Sequence, residues 1–145
     1  MSDVFKNKPT TGFWVVSVLA LLWNIMGVMA YLQHAYNTEE YRANFNEAQL
    51  AIMDATPAWA TAAFAIAVFA GIIGCILLLL RKKLAKAFFI ISFLGIVVQN
   101  AYSFGFTDAS QYFKTFDWFL AISVPVIAIL LILYSKKAIS RHWIT

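Results

Sequence analysis

Few side chains in this sequence have the chemistry of a catalytic or metal-binding site. The two histidines, His34 and His142, are far apart in the chain, Cys75 is the only cysteine, and there is no glycine-rich phosphate loop or His-Glu zinc motif. We therefore predict no catalytic residue, no metal site and no cofactor, and we expect that the protein is not an enzyme. His34 as a general base would need an acidic partner that the sequence does not place beside it.

The informative polar residues lie inside long apolar stretches, where a bilayer makes an amide or hydroxyl group costly. Asn24 is near the middle of the first stretch. At 100° per residue, Tyr31 projects within about 20° of Asn24 on a helical wheel, and His34 projects about 80° away. An amide at this depth should face another helix rather than lipid.

A second polar stripe is predicted in the third apolar stretch. Ser92, Gln99 and Ser103 fall within about 40° of one another, and Asn100 lies about 80° from them. We predict that this stripe faces the one around Asn24, so that the two line a polar cleft. The predicted ligand-binding residues are Asn24, Tyr31, His34, Gln99, Asn100 and Ser103. The alternative is that these groups only hydrogen-bond across helices, worth about 0.6 kcal/mol each.

The elements that position these residues follow from composition and hydropathy. The chain has 145 residues, of which 62% are hydrophobic and 12% charged, whereas soluble domains average about 25% charged residues. The stretches 13–36, 57–80, 84–104 and 117–135 are each long enough to cross a hydrocarbon layer of about 30 Å as a helix. The predicted fold class is therefore all-α: an integral membrane bundle of four transmembrane helices that forms a single domain over residues 1–145.

The connection between the first two spans carries a further helical pattern. Tyr41, Phe45, Ala48 and Ile52 recur along one face of a helix. We predict a short amphipathic helix over 39–54 that lies on the outer face of the membrane that the chain spans. A disordered polar loop is the alternative.

The distribution of basic residues predicts the orientation, because cytoplasmic loops retain Lys and Arg. Most of these residues fall on one side of the predicted spans: Lys6, Lys8, Arg81, Lys82, Lys83, Lys86, Lys136, Lys137 and Arg141. Only Arg42 and Lys114 fall on the other side. We therefore expect both termini to be cytoplasmic. The net charge of +4 reflects topology and lipid headgroups, so no nucleic-acid partner is predicted.

The second span has a face of small residues at helical spacing, which lets a neighbouring backbone approach closely. Its predicted helix-packing residues are Ala63, Ala67, Gly71 and Gly74. The neighbour could be another helix of the same bundle or a second protein.

Several short motifs extend over most of the chain. They are Leu21-Leu22-Trp23-Asn24 with Gly27, Pro57-x-Trp59, Gly71-x-x-Gly74, Arg81-Lys82, Ile91-Ser92 with Gln99, and Arg141-x-Trp143. Together they resemble a group of small bacterial four-helix inner-membrane proteins that are often labelled "sugar transporter". The resemblance implies the four-helix fold and a multi-pass location in the bacterial inner membrane. It implies no particular binding residue.

Two functional hypotheses follow. In the first, the protein binds, or helps to transport, a small neutral or amphipathic molecule in an outward-opening polar cleft, because amides and hydroxyls offer donors and acceptors without fixed charge. Its partners are then the lipid bilayer and a small-molecule or lipid ligand, with transport requiring a homo-oligomer. In the second, it is an accessory subunit that docks on a larger membrane complex through its amphipathic helix and its small-residue face.

Overall fold

The computed structural model describes residues 8–145, so Lys6 and the rest of 1–7 lie outside the described residues. Within them the regular structure is entirely helical. The α-helices are α1 (Thr11–Tyr36), α2 (Glu39–Arg42), α3 (Glu47–Asp54), α4 (Ala58–Leu79), α5 (Ala85–Gly105) and α6 (Thr115–Ser140), and a 3₁₀-helix spans Ala109–Tyr112.

Helices α1, α4, α5 and α6 are long and apolar enough to cross a membrane. The predicted all-α class with four such helices is therefore confirmed. Local capping accounts for their ends. Thr10 accepts a hydrogen bond from the Phe13 amide at 3.2 Å at the start of α1, and Asn37 ends that helix in a left-handed conformation with φ of 52°. Helix α6 continues to Ser140, past its predicted end at 135.

Helix α4 is the centre of the bundle and packs against both α1 and α5, while α6 packs against α5. The small residues of α4 are buried, as Ala67 shows with an exposed fraction of 5%. A Cβ atom added at Gly95 of α5 would come within 2.8 Å of the Ala63 carbonyl oxygen. The small-residue face is therefore covered within the chain by α1 and α5.

One end of the bundle is closed by aromatic side chains and by the C-terminal tail. Phe13 is fully buried, and its ring centroid lies 5.9 Å from that of Trp143. The Arg81 guanidinium Nε donates to the Trp143 carbonyl at 2.8 Å, and the Thr145 amide donates to the Arg81 carbonyl at 3.1 Å. The start of α1, the α4–α5 turn and the end of α6 thus meet at one end, here called the basic end. The opposite end, which carries the connections 37–57 and 106–114, is called the acidic end.

The connection 37–57 differs from the single helix predicted over 39–54, and that prediction is wrong in its continuity. The first helix ends at Arg42, and Asn46 starts a second one by forming a capping box with Gln49. The Gln49 amide donates to Asn46 Oδ1 at 2.8 Å, and the Asn46 amide donates to Gln49 Oε1 at 3.0 Å. Asparagine favours such caps because its short side chain competes with the helical backbone for hydrogen bonds. Two short helices, α2 and α3, result.

A bidentate ion pair joins α2 to the end of α3. The Arg42 guanidinium donates to both carboxylate oxygens of Asp54, at 2.8 and 3.0 Å, and to Asn37 Oδ1 at 3.2 Å. The hydrogen bonds from Arg42 lower the pKa of the Asp54 carboxyl below its usual value. The connection is therefore held as a closed loop at the acidic end of α1.

Side-chain packing is uneven along the bundle. The buried residues of α1 are Phe13, Ser17 and Ala20, all in its basic half. Those of α6 begin only at Ala128 and continue toward the basic end. Helices α4 and α5, in contrast, have buried residues in both halves. Because α1 and α6 bury no residue in their acidic halves, this half of the bundle is the less tightly packed and more open one.

Candidate ligand-binding cavity

The open half of the bundle contains a cavity of about 490 Å³ between α1, α4, α5 and α6. On α6 its lining extends from Asp117 to Leu131, which corresponds to about 21 Å along a helix axis. Exposed side chains of Met26 and Phe116 lie at its rim. A volume of this size is within the range of about 300–1,000 Å³ that small-molecule sites occupy.

The polar and apolar parts of the lining are separated along the cavity. Gln99, Asn100 and Ser103 of α5 line the part nearest the acidic end, together with Asp117 at the start of α6. Deeper in the bundle the wall is largely aliphatic and aromatic, with Phe89, Ile96, Val124, Ile127, Ala128 and Leu131. The cavity can therefore hydrogen-bond a ligand at one end and bury an apolar chain at the other.

Asn24 borders the middle of the cavity, but its amide is used mainly between helices. Its Nδ2 donates to the Ala20 carbonyl at 2.8 Å and to Cys75 Sγ on α4 at 3.3 Å. A Cβ atom at Gly71 would clash with Asn24 Oδ1, so the amide fills the space that the glycine leaves. Asn24 therefore joins α1 to α4.

Ser92 has the same role between α5 and α4. Its hydroxyl is buried and donates to the Ala67 carbonyl at 2.6 Å. This bond accounts for the hydroxyl's proton, because a serine has only one to donate. The polar groups at mid-depth thus hold the three helices together, and Gln99, Asn100 and Ser103 are left to face the cavity.

The structure does not bring Tyr31 and His34 into the cavity. The Tyr31 ring packs edge-on against Phe64 at 5.4 Å and Phe69 at 5.5 Å between centroids. His34 packs on Phe64 at 5.9 Å. Both residues share the side of α1 that carries Asn24, and that side faces α4. Of the first stripe, Asn24 lines the cavity together with the third-span residues, whereas Tyr31 and His34 are not among the lining residues.

Asp117 is a lining residue that was not predicted from the sequence. Its Oδ2 accepts a hydrogen bond from the Lys114 amide at 2.9 Å. Asp at this position of a helix is common because the carboxylate satisfies a free amide of the first turn. That capping pattern was a visible signal, but it places the residue only at a helix start and says nothing about a cavity.

Aromatic rings surround the polar end. Phe104 and Phe113 both line the cavity, and their centroids are 5.8 Å apart. Trp118 packs against both of them, at 5.9 and 5.2 Å. These contacts join the end of α5, the loop before α6 and the start of α6 into one wall.

Within residues 8–145, no three His, Cys, Asp or Glu side chains come together as a metal site would require. The sequence matches no family model, and comparisons with curated proteins and with solved structures gave no match.

Proposed function

We propose that the protein is a multi-pass membrane protein that binds one amphipathic molecule in this cavity. The observation that carries the proposal is the separation within the lining, with amide and hydroxyl groups at the acidic end and an apolar floor toward the basic end. A polar head would be bound by Gln99, Asn100 and Ser103. An acyl or alkyl chain would lie along α6 toward Leu131, where it would fill space that no side chain occupies.

The surroundings of the cavity support an amphiphile rather than a fully water-soluble ligand. The outer surface of α1 and α6 is apolar, with exposed Leu19, Leu22, Leu130 and Leu133, as contact with lipid acyl chains requires. The rim residues Met26 and Phe116 belong to the same surface. A molecule that partitions into the bilayer could therefore enter between α1 and α6 without first crossing water.

In the proposed orientation the basic end faces the cytoplasm of a bacterial inner membrane. It exposes Lys82, Lys83, Lys136 and Lys137, and positive residues are retained on that side. The cavity would then open toward the outer leaflet. Transport of the bound molecule would require more than one copy, since four helices alone leave little room for alternating access.

Binding can be measured with decyl glucoside as the probe. The protein is placed in nanodiscs of diglucosyl diacylglycerol, an uncharged lipid, and binding is the excess of labelled decyl glucoside over that in empty nanodiscs. We expect saturable binding of one molecule per protein. Linear uptake equal to that of empty nanodiscs would overturn the proposal.

The matched variants are Gln99→Leu and Gln33→Leu. Gln99 lines the cavity toward the acidic end. Gln33 lies near the acidic end of α1 and is exposed. Loss of one hydrogen bond, about 1 kcal/mol, should weaken binding about fivefold in Gln99→Leu. Gln33→Leu should bind as the original protein does. Equal affinity of the two variants for decyl glucoside would show that Gln99 does not contact the bound molecule.

A further inference from the structure

We propose that the polar end of the cavity selects amphiphiles whose head group is an organic cation, such as an alkylammonium, over uncharged ones. This inference rests on the proposed function, because it concerns the head group of the molecule that the cavity binds. From the sequence, only uncharged amide and hydroxyl groups are expected in the cleft.

The first observation is a single charge. Among residues 8–145, Asp117 is the only charged residue in the lining, and the other polar side chains there are uncharged. One carboxylate oxygen, Oδ2, accepts a hydrogen bond from the Lys114 amide, and no hydrogen bond to Asp117 Oδ1 is found among residues 8–145. A carboxylate attracts a cation that comes within a few ångströms of it.

The second observation is the absence of an internal counter-ion among residues 8–145. The ion pair found there is Arg42–Asp54, which belongs to the connection between α1 and α4. Lys114 is the basic residue nearest to Asp117 in sequence, and its side chain is exposed while its backbone amide makes the contact. The charge of Asp117 is therefore open to a ligand.

The third observation is the aromatic wall. Phe104, Phe113 and Phe116 line the cavity with Asp117. The faces of aromatic rings attract ammonium groups within about 6 Å of the ring centroid, and such cages recognise quaternary ammonium ligands. Phenylalanine rings offer no lone pair to a metal ion, and Ca²⁺ takes oxygen ligands only. The chemistry of the wall thus favours an organic cation.

The test compares two probes with the same alkyl chain, decyltrimethylammonium and decyl glucoside, in the uncharged nanodiscs described above. Partition into the lipid is measured with empty nanodiscs. We expect the protein to bind the cationic probe about tenfold more tightly, as one carboxylate and one ring contact allow. Asp117→Asn should remove this difference and still bind decyl glucoside, because Asn keeps an oxygen for the Lys114 amide.

Asp108→Asn is the control, since Asp108 is an exposed acid of the connection 106–114 before α6 and does not line the cavity. It should keep the tenfold difference. A second pair of variants covers the case in which Asp117→Asn does not fold. Phe113→Leu should reduce the preference for the cation, whereas Phe106→Leu should not, because Phe106 is 74% exposed and lies outside the lining.

The outcomes separate the two proposals. Equal affinity of the original protein for both probes, or a preference that survives in Asp117→Asn, overturns the cation inference and leaves the proposed function standing. Binding of neither probe overturns the proposed function itself, and the inference with it.

Discussion

The side-chain oxygen of Asn24 lies against Gly71, in the space where any larger residue at position 71 would carry its Cβ atom. The pair joins the middle of α1 to the middle of α4. It also leaves the Asn24 Nδ2 free to donate to Cys75 Sγ one turn further along α4. One glycine and one amide thus determine how closely α1 approaches the centre of the bundle.

Gly71→Ala should therefore destabilise the protein by about 1–3 kcal/mol, the usual cost of overpacking, despite the higher helix propensity of alanine. The measurement is thermal unfolding in nanodiscs. Gly105→Ala is the matched control, because no atom lies within 4 Å of the position of its Cβ. The double variant Asn24→Ala/Gly71→Ala should lose less unfolding free energy than the sum of the losses in the two single variants, because the clash between the two side chains is gone. Strict additivity would contradict the contact.

Gly95→Ala should be more damaging than Gly74→Ala. A Cβ at Gly95 would approach backbone atoms of α4, with the Ala67 amide nitrogen at 2.9 Å, whereas a Cβ at Gly74 would meet the Phe89 ring. A ring can rotate away, but two helix backbones must separate. We expect a loss of about 3 kcal/mol in the first case and less in the second. Equal unfolding temperatures in the two variants would show that the α4 and α5 backbones are less closely packed at Gly95 than the structure indicates.

The Arg42–Asp54 pair predicts a pH dependence of the connection 37–57. Because the pKa of Asp54 is lowered in the folded protein, its contribution to stability is present above the unfolded pKa of about 3.9. That contribution is lost as the pH falls through the lowered folded value. Limited proteolysis by pepsin between pH 2 and 5 should show cleavage in 37–57 rising as the pH falls.

Asp54→Asn should remove this dependence, and the connection should already be cleaved readily near pH 5. Glu40→Gln is the control, since Glu40 is an exposed acid of α2 outside the ion pair. Cleavage that depends on pH equally in all three proteins would assign the effect to pepsin rather than to Asp54.

The proposed orientation predicts the result of reporter fusions. A reporter active only in the cytoplasm should be active when fused after Lys83 and after Thr145, and inactive when inserted at Asn44. The first two positions lie at the basic end and the third at the acidic end. Opposite activity after Lys83 and after Thr145 would contradict the placement of both at one end of the bundle.

The number of helices long and apolar enough to cross a membrane could be predicted from the sequence, because hydropathy is a local property that adds up along the chain. The ends of α1 carry local signals too, Thr10 and Asn37, whereas α6 extends to Ser140, beyond its predicted end. The same local reasoning failed over 39–54, because Asn46 and Gln49 form a cap that interrupts an otherwise helical pattern.

The cavity could be predicted only in part. Gln99, Asn100 and Ser103 were correctly placed on one helix, and they line the cavity together. Tyr31 and His34 were grouped with them, yet the structure packs both on Phe64 of α4. A helical wheel gives angles between residues of one helix. It does not give the rotation of that helix about its axis relative to its neighbours.

The sequence by itself determined four apolar helices, the uneven distribution of basic residues, and the set of polar side chains that a bilayer forces inward. Only the tertiary structure decided that Asn24 faces α4, that the buried residues of α1 and α6 lie in their basic halves, and that Asp117 borders the cavity. The physical reason is that these features depend on close contacts between distant residues, such as Asn24 with Gly71 and Gly95 with Ala63. Such contacts set the rotation and spacing of whole helices, and no local pattern encodes them.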